Sequence, residues 1–178
     1  MRRSLALLLA LAGGIGVPAR AQSGSPSAEV RSDYAAVRGY VLRAAEEMPD
    51  SLYGWKPTPP VRTFAQQIAH VADDQYNLCA PARGETRQVA YRQIETTLST
   101  KAELLPALRA AFAYCDAAYD ALTDSAGTAM VGSANGRRTR FGMLNWNLWH
   151  TWEHYGNVVV YLRMNGLVPP SSQPTRMN

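Results

Sequence analysis

The sequence predicts an all-α protein, a four-helix bundle, and three observations point there. No stretch sustains the residue-by-residue alternation of a strand. Four segments repeat apolar residues at three-to-four spacing, and proline, glycine or capping residues punctuate them. Amphipathic helices of this length bury their stripes against one another, which makes a bundle.

The first helix runs roughly from Glu29 to Met48, with Val30, Tyr34, Val37, Val41 and Ala45 on one side, and Pro49 ends it. The stretch DSLYGWKPTPPVRT that follows is too rich in proline and glycine to be helical. Thr63 and Gln66 match a capping box that opens the second helix, which runs to about Cys79 and stops before Pro81 and Gly84. Phe64, Ile68, Val71 and Leu78 form its apolar side; Gln66, Gln67, His70, Asp73, Asp74 and Asn77 form its polar side. Residues 80–99 read as a long connection. Thr100 and Glu103 form another capping box, opening a third helix that reaches about Leu122 with Pro106 early in it. DSAGTAMVGSANGRR is a loop in which Asn135-Gly136 favours a tight turn. Thr139 caps the fourth helix, which ends at Asn165-Gly166 with Pro169-Pro170 beyond. Leu144, Leu148, Trp152, Tyr155, Val159 and Leu162 make its apolar stripe.

The amino terminus is read separately. Arg2 and Arg3 precede an apolar run from Leu5 to Val17, and Ala19-Arg20-Ala21 has the form of a signal-peptidase site. Residues 1–21 are therefore expected to be a leader cleaved between Ala21 and Gln22, with residues 22–178 forming one secreted or periplasmic domain. No cysteine stands directly after the junction to carry a lipid, and no later run is long and uncharged enough to span a bilayer, so no membrane anchor is expected. The leader carries three of the 18 Lys and Arg and no acid, leaving 15 against 14, so the precursor's +4 falls to +1. That balance gives no case for nucleic-acid or membrane-surface binding.

Three histidines occur: His70, His150 and His154. A lone histidine on a polar helix side, which is all His70 shows by itself, reads as a surface residue. An i, i+4 pair can also be coincidence. Yet the polar stripe of the fourth helix (Asn147, His150, Glu153, His154, Asn157) holds no lysine or arginine to solvate it, and unpaired buried polar groups cost roughly 1–3 kcal/mol each. Three neutral imidazoles with positions left open describe a reactive divalent-metal site. Asp74, four residues after His70, and Glu153 are candidates for orienting the rings or accepting a proton. His150-Thr151-Trp152-Glu153-His154 also has the H-x-x-E-H pattern of inverted zinc proteases. Those enzymes take a downstream carboxylate as third ligand, and residues 155–178 contain no Asp or Glu, which argues against that reading.

MPDSLYGWKPTPPVRTFAQQIAHVADDQYNLC and LNWNLWHTWEHYGNVVVYLRMNGLVPPSS resemble the DinB/YfiT-like family of metalloenzymes. The distinctive parts are the proline-rich approach to Arg62-Thr63-Phe64, His70 six residues on, and the late H-x-x-x-H with its Tyr-Leu-Arg and Val-Pro-Pro-Ser tail. On that pattern His70, His150 and His154 fall on the family's three metal ligands. The resemblance implies an up-down-down-up bundle, often a homodimer, holding nickel, zinc or a related divalent ion. Some relatives activate a low-molecular-weight thiol for transfer or isomerisation. In such a topology the second and third helices run parallel, and Cys79 and Cys115, 16 and 15 residues past their caps, share one level about 24 Å along. They are read either as a disulfide or as two buried free thiols. Trp149, Gly156 and Val160 share a further side of the fourth helix, either packing on the first helix or forming a dimer seam.

Two functions follow. One is an exported metal-dependent hydrolase or thiol-transferase acting on an unidentified small molecule; export weakens the thiol version, since cytosolic thiol pools are not expected outside. The alternative is a non-catalytic, metal-stabilised bundle that binds or senses. Three imidazoles suit zinc, nickel, copper and iron alike, so the residues alone do not choose the ion.

Overall fold

Four long helices form where the apolar repeats lie: α1 (Pro26–Glu47), α2 (Phe64–Arg83), α4 (Lys101–Asp120) and α6 (Arg140–Met164). A short α3 (Gln93–Thr97) precedes α4, and α5 (Asp124–Gly127) follows it. Strands β1 (Met130–Val131) and β2 (Arg138–Thr139) pair antiparallel just before α6. The computed structural model describes residues 24–133 and 136–174. The expected leader with its Ala21–Gln22 junction, and Asn135 of the expected turn, lie outside the described residues.

The caps sit where the sequence placed them. Gln66 N–H donates to Thr63 Oγ1 while Thr63 N–H donates back to Gln66 Oε1, and Thr100 and Glu103 repeat the exchange. Gly142 N–H donates to Thr139 Oγ1 at 3.0 Å, opening α6. Each such cap contributes about 1 kcal/mol.

Several elements differ from expectation: α1 begins at Pro26 instead of Glu29, and the segment 124–138 expected as loop carries α5, β1 and the first residue of β2. α2 continues through Pro81 to Arg83, where Gly84 caps it with a φ of +75°. Proline removes one N–H bond near the helix end, but Cys79, Ala80 and Ala82 are buried, and that packing holds the last turn. The connection 80–99 contains α3, whose five residues are too few to show a period. A tertiary contact fixes it: Asp73 accepts N–H bonds from Ile94 at 3.0 Å and Glu95 at 2.9 Å.

Residue pairs set the helix directions. Phe64 lies beside Tyr161, and Arg140 reaches the Ala82 carbonyl, so α2 and α6 run antiparallel. Tyr34 meets Asp116 and Arg109 meets Glu46, so α1 and α4 also oppose each other. Cys79 and Cys115, late in their helices, face each other with Cα atoms 5.3 Å apart, so α2 and α4 run the same way. Val37, Val41, Ile68, Leu104, Leu108, Phe112, Leu144 and Leu162 are fully shielded between the four. Each large aliphatic side chain so buried contributes roughly 1.5–3 kcal/mol. Leu144, Leu148, Tyr155 and Leu162 of the expected α6 stripe are buried, whereas Trp152 sits at its edge, 37% exposed against Tyr40. Trp149 and Val160 are about half exposed and do not pack into α1. No helix among the described residues is long and apolar enough to cross a membrane.

Candidate metal centre

A helical turn brings residues i and i+4 onto one side. α2 offers His70 and Asp74 this way, α6 offers His150 and His154, and the antiparallel crossing sets the two pairs face to face. One nitrogen or oxygen from each of the four lies within 4.8 Å of all the others. His70 Nε2 is 3.0 Å from Asp74 Oδ2, His150 Nδ1 is 3.5 Å from the same oxygen, and the Nε2 atoms of His150 and His154 are 3.3 Å apart. His70, Asp74 and His154 are buried; His150 is partly open to solvent.

Burial holds these groups in the forms a cation needs. It pushes the His154 imidazole down to about 3, helped by the charges of His70 and His150, and it lowers His150 as well. Burial opposes ionisation of Asp74, but His70, Asn77 and His150 together keep its carboxyl below the usual carboxylate range. His150 and His154 are thus held toward neutral imidazole and Asp74 toward carboxylate, the protonation states that divalent metals bind. Asp74 Oδ2 is moreover buried without a hydrogen-bond partner. Its nearest nitrogens are those of the imidazoles themselves, His70 Nε2 at 3.0 Å and His150 Nδ1 at 3.5 Å. A buried acceptor left this way is costly, and a cation among the four donors would satisfy it. The residues therefore fit a divalent ion.

A second layer orients the rings. His154 Nδ1 lies 3.0 Å from Gln67 Oε1, and in the tautomer that donates there Nε2 keeps its lone pair for the cluster. His70 Nδ1 lies 3.4 Å from Glu95 Oε2. Glu95 is itself gripped by Arg62 at 2.9 Å and by Arg92 through two contacts of 2.9 and 3.0 Å. Burial raises its cost of ionising, yet the two guanidiniums hold its carboxyl below the ordinary range. Glu95 was not legible from the sequence, because it lies in the connection that showed no pattern. Asp73, beside His70 in sequence, turns away from the cluster to hold α3. Glu153 is exposed and reaches His150 through its charge alone.

A bundle of this fold with a histidine–carboxylate cluster between two antiparallel helices defines a class of α-helical protein with a potential metal centre. Residues 33–158 match the model of the DinB superfamily, and the chain belongs to that superfamily. Among solved structures it is similar to a DinB-like protein from Bacillus cereus ATCC 10987, with TM-score 0.67 and 13% identity over 79% of this chain and 93% of that one. It is also similar to a mycothiol-dependent maleylpyruvate isomerase, with TM-score 0.61 and 20% identity over 78% of this chain and 67% of that one. A histidine-to-alanine mutant of that isomerase gives the same figures. At such identities the likeness shows the fold. No curated protein matches the chain.

Proposed function

We propose that this chain is an exported, metal-dependent enzyme whose divalent ion is held by His70, His150 and His154, with Asp74 alongside them. The observation that carries the reading is Asp74 Oδ2, buried and unpartnered among imidazoles that burial keeps neutral. Zinc and nickel suit a set of three nitrogens and one oxygen. A bound ion of this kind supplies Lewis acidity and lowers the pKa of an oxygen or sulfur nucleophile. The chain's own residues do the rest: Gln67 and Glu95 hold the His154 and His70 rings, and Asp74 offers a carboxylate oxygen for a proton.

The reaction class is hydrolysis or transfer involving a thiol. The solved mycothiol-dependent isomerase of similar fold supports the thiol branch, and export supports the hydrolytic one. A second reading has its own observation. Asp74 can supply a fourth donor, and four protein donors close a tetrahedral site, as structural zinc does. That arrangement suits a non-catalytic, metal-stabilised binding or sensing module.

Elemental analysis of the purified mature protein, followed by a screen of ester, amide and thiol-transfer substrates, tests both. Turnover that needs the ion and disappears in His150→Ala supports the enzyme. A loaded protein without turnover, whose His150→Ala variant loses only thermal stability, supports the module. Material that takes up no divalent ion ends both readings.

A further inference from the structure

The reading above leaves the substrate class open, and the cavity in front of the cluster bears on it. A space of about 400 Å³ opens against His70, Asp74 and His150. That volume is in the range of small-molecule sites. Leu78, Met143, Trp146 and Tyr91 give it apolar and aromatic walls. Among the described residues, the one charged group lining it besides the cluster is Arg87.

Arg87 is exposed and lies 5.8 Å over the Tyr91 ring. It makes no ion pair among the described residues. Three further arginines lie nearby and outside this cavity's lining: Arg140 is committed to the carbonyls of Ala82 and Ala126, Arg138 lies 4.6 Å over the Trp146 ring, and Arg137 lines the adjoining hollow. At the floor, Asn77 donates to Asp74 Oδ1 at 3.1 Å, while its own Oδ1 is buried without a partner. With a divalent ion in place, the single negative charge of Asp74 is outweighed by the ion and Arg87. A cavity with low-dielectric walls and net positive charge selects for anions.

We infer that the site takes a small carboxylate with a flat apolar body. Its polar head, carrying a donor for Asn77 Oδ1, lies toward the imidazoles; its body lies along Trp146 and Met143; its carboxylate meets Arg87. This inference rests on the metal-centre reading.

The test uses the metal-loaded protein, its content fixed beforehand by elemental analysis, and two hydroxamate probes. 4-Carboxybenzohydroxamate carries the distal carboxylate and benzohydroxamate lacks it; calorimetry measures the affinity of each. A charge-assisted contact makes the carboxylate probe bind about tenfold tighter. Arg87→Gln is expected to abolish that ratio while leaving metal content and the affinity of the neutral probe unchanged. Equal affinity of the two probes for the unaltered protein, or a ratio that survives in Arg87→Gln, overturns the inference and leaves the metal centre standing. A protein that takes no divalent ion overturns both.

Discussion

Two buried polar groups lie along the seam between α2 and α6, and they differ in how they are satisfied. In the first, Gln75 Nε2 donates to Thr151 Oγ1 at 3.2 Å and Asn147 Nδ2 donates to Gln75 Oε1 at 3.1 Å. Tyr119 donates to Asn147 Oδ1 at 2.8 Å, and the Thr151 hydroxyl donates to the Asn147 carbonyl at 2.8 Å. Each of those side chains finds its partner inside the chain. In the second group, a turn away, three imidazoles and Asp74 point at one another, and one carboxylate oxygen has no donor. A closed network fixes how two helices pack. An open one stores a demand that a ligand can meet.

The largest expected effect breaks the open group. His154→Ala should abolish retention of a stoichiometric divalent ion through dialysis, read by elemental analysis, while the helical circular dichroism persists. Ion content equal to that of the parent protein would end the metal assignment.

The closed group is backed by the two cysteines, since Cys115 lies against Asn147 and faces Cys79 across the core with Cα atoms 5.3 Å apart. A disulfide there closes a sequence separation of 36 residues. Its reduction should cost about 4 kcal/mol by loop entropy, measured by urea denaturation with and without reductant. Non-reducing mass spectrometry that finds both thiols free would remove that disulfide.

Asn147→Ala should cost about 2–4 kcal/mol, because Tyr119 and Gln75 both lose a buried partner. Metal affinity should change less than about twofold, since no hydrogen bond among the described residues joins the two groups. Coupling between Asn147→Ala and His154→Ala in a double-mutant cycle would show that the two groups are one network.

Glu95→Gln sharpens the comparison further. It keeps the shape of the side chain but weakens the acceptor beside His70 and the hold of two guanidiniums. Metal affinity should fall about 10–100-fold in a competition titration, on top of a loss of metal-free stability from the weakened ion pairs. An unaltered affinity would make Glu95 a bracket for α3 only.

The last effect is a slope. His154 is neutral in the folded chain down to about 3, whereas the same ring unfolded takes a proton near 6.5. Below that value the unfolded state binds the extra proton, so stability falls as pH falls from about 6.5 toward 3. Denaturation of metal-free protein should show up to about 1.4 kcal/mol lost per pH unit for this ring. His154→Gln should flatten the slope; an identical slope in both would show that another group sets it.

Much of the bundle could be read directly. Capping boxes are local, so Thr63 with Gln66 and Thr100 with Glu103 marked their helices within one residue. The three histidines were legible because their polar stripe lacked any cation to solvate it. Trp152 was misplaced on the inner side because a stripe on a wheel gives direction but not depth. Pro81 was read as a stop because its local penalty is visible and the core packing that overrides it is not.

The amino-acid order by itself determined the four long helices, the starts of three of them and the residue types able to hold a cation, because caps and periodicity act over a few residues. Only the tertiary structure decided that His70 and Asp74 meet His150 and His154, and that Glu95 arrives behind His70 on α3. Those encounters join residues some 25 to 80 positions apart, and the packing of α2 against α6 and of α3 against Asp73 brings them together.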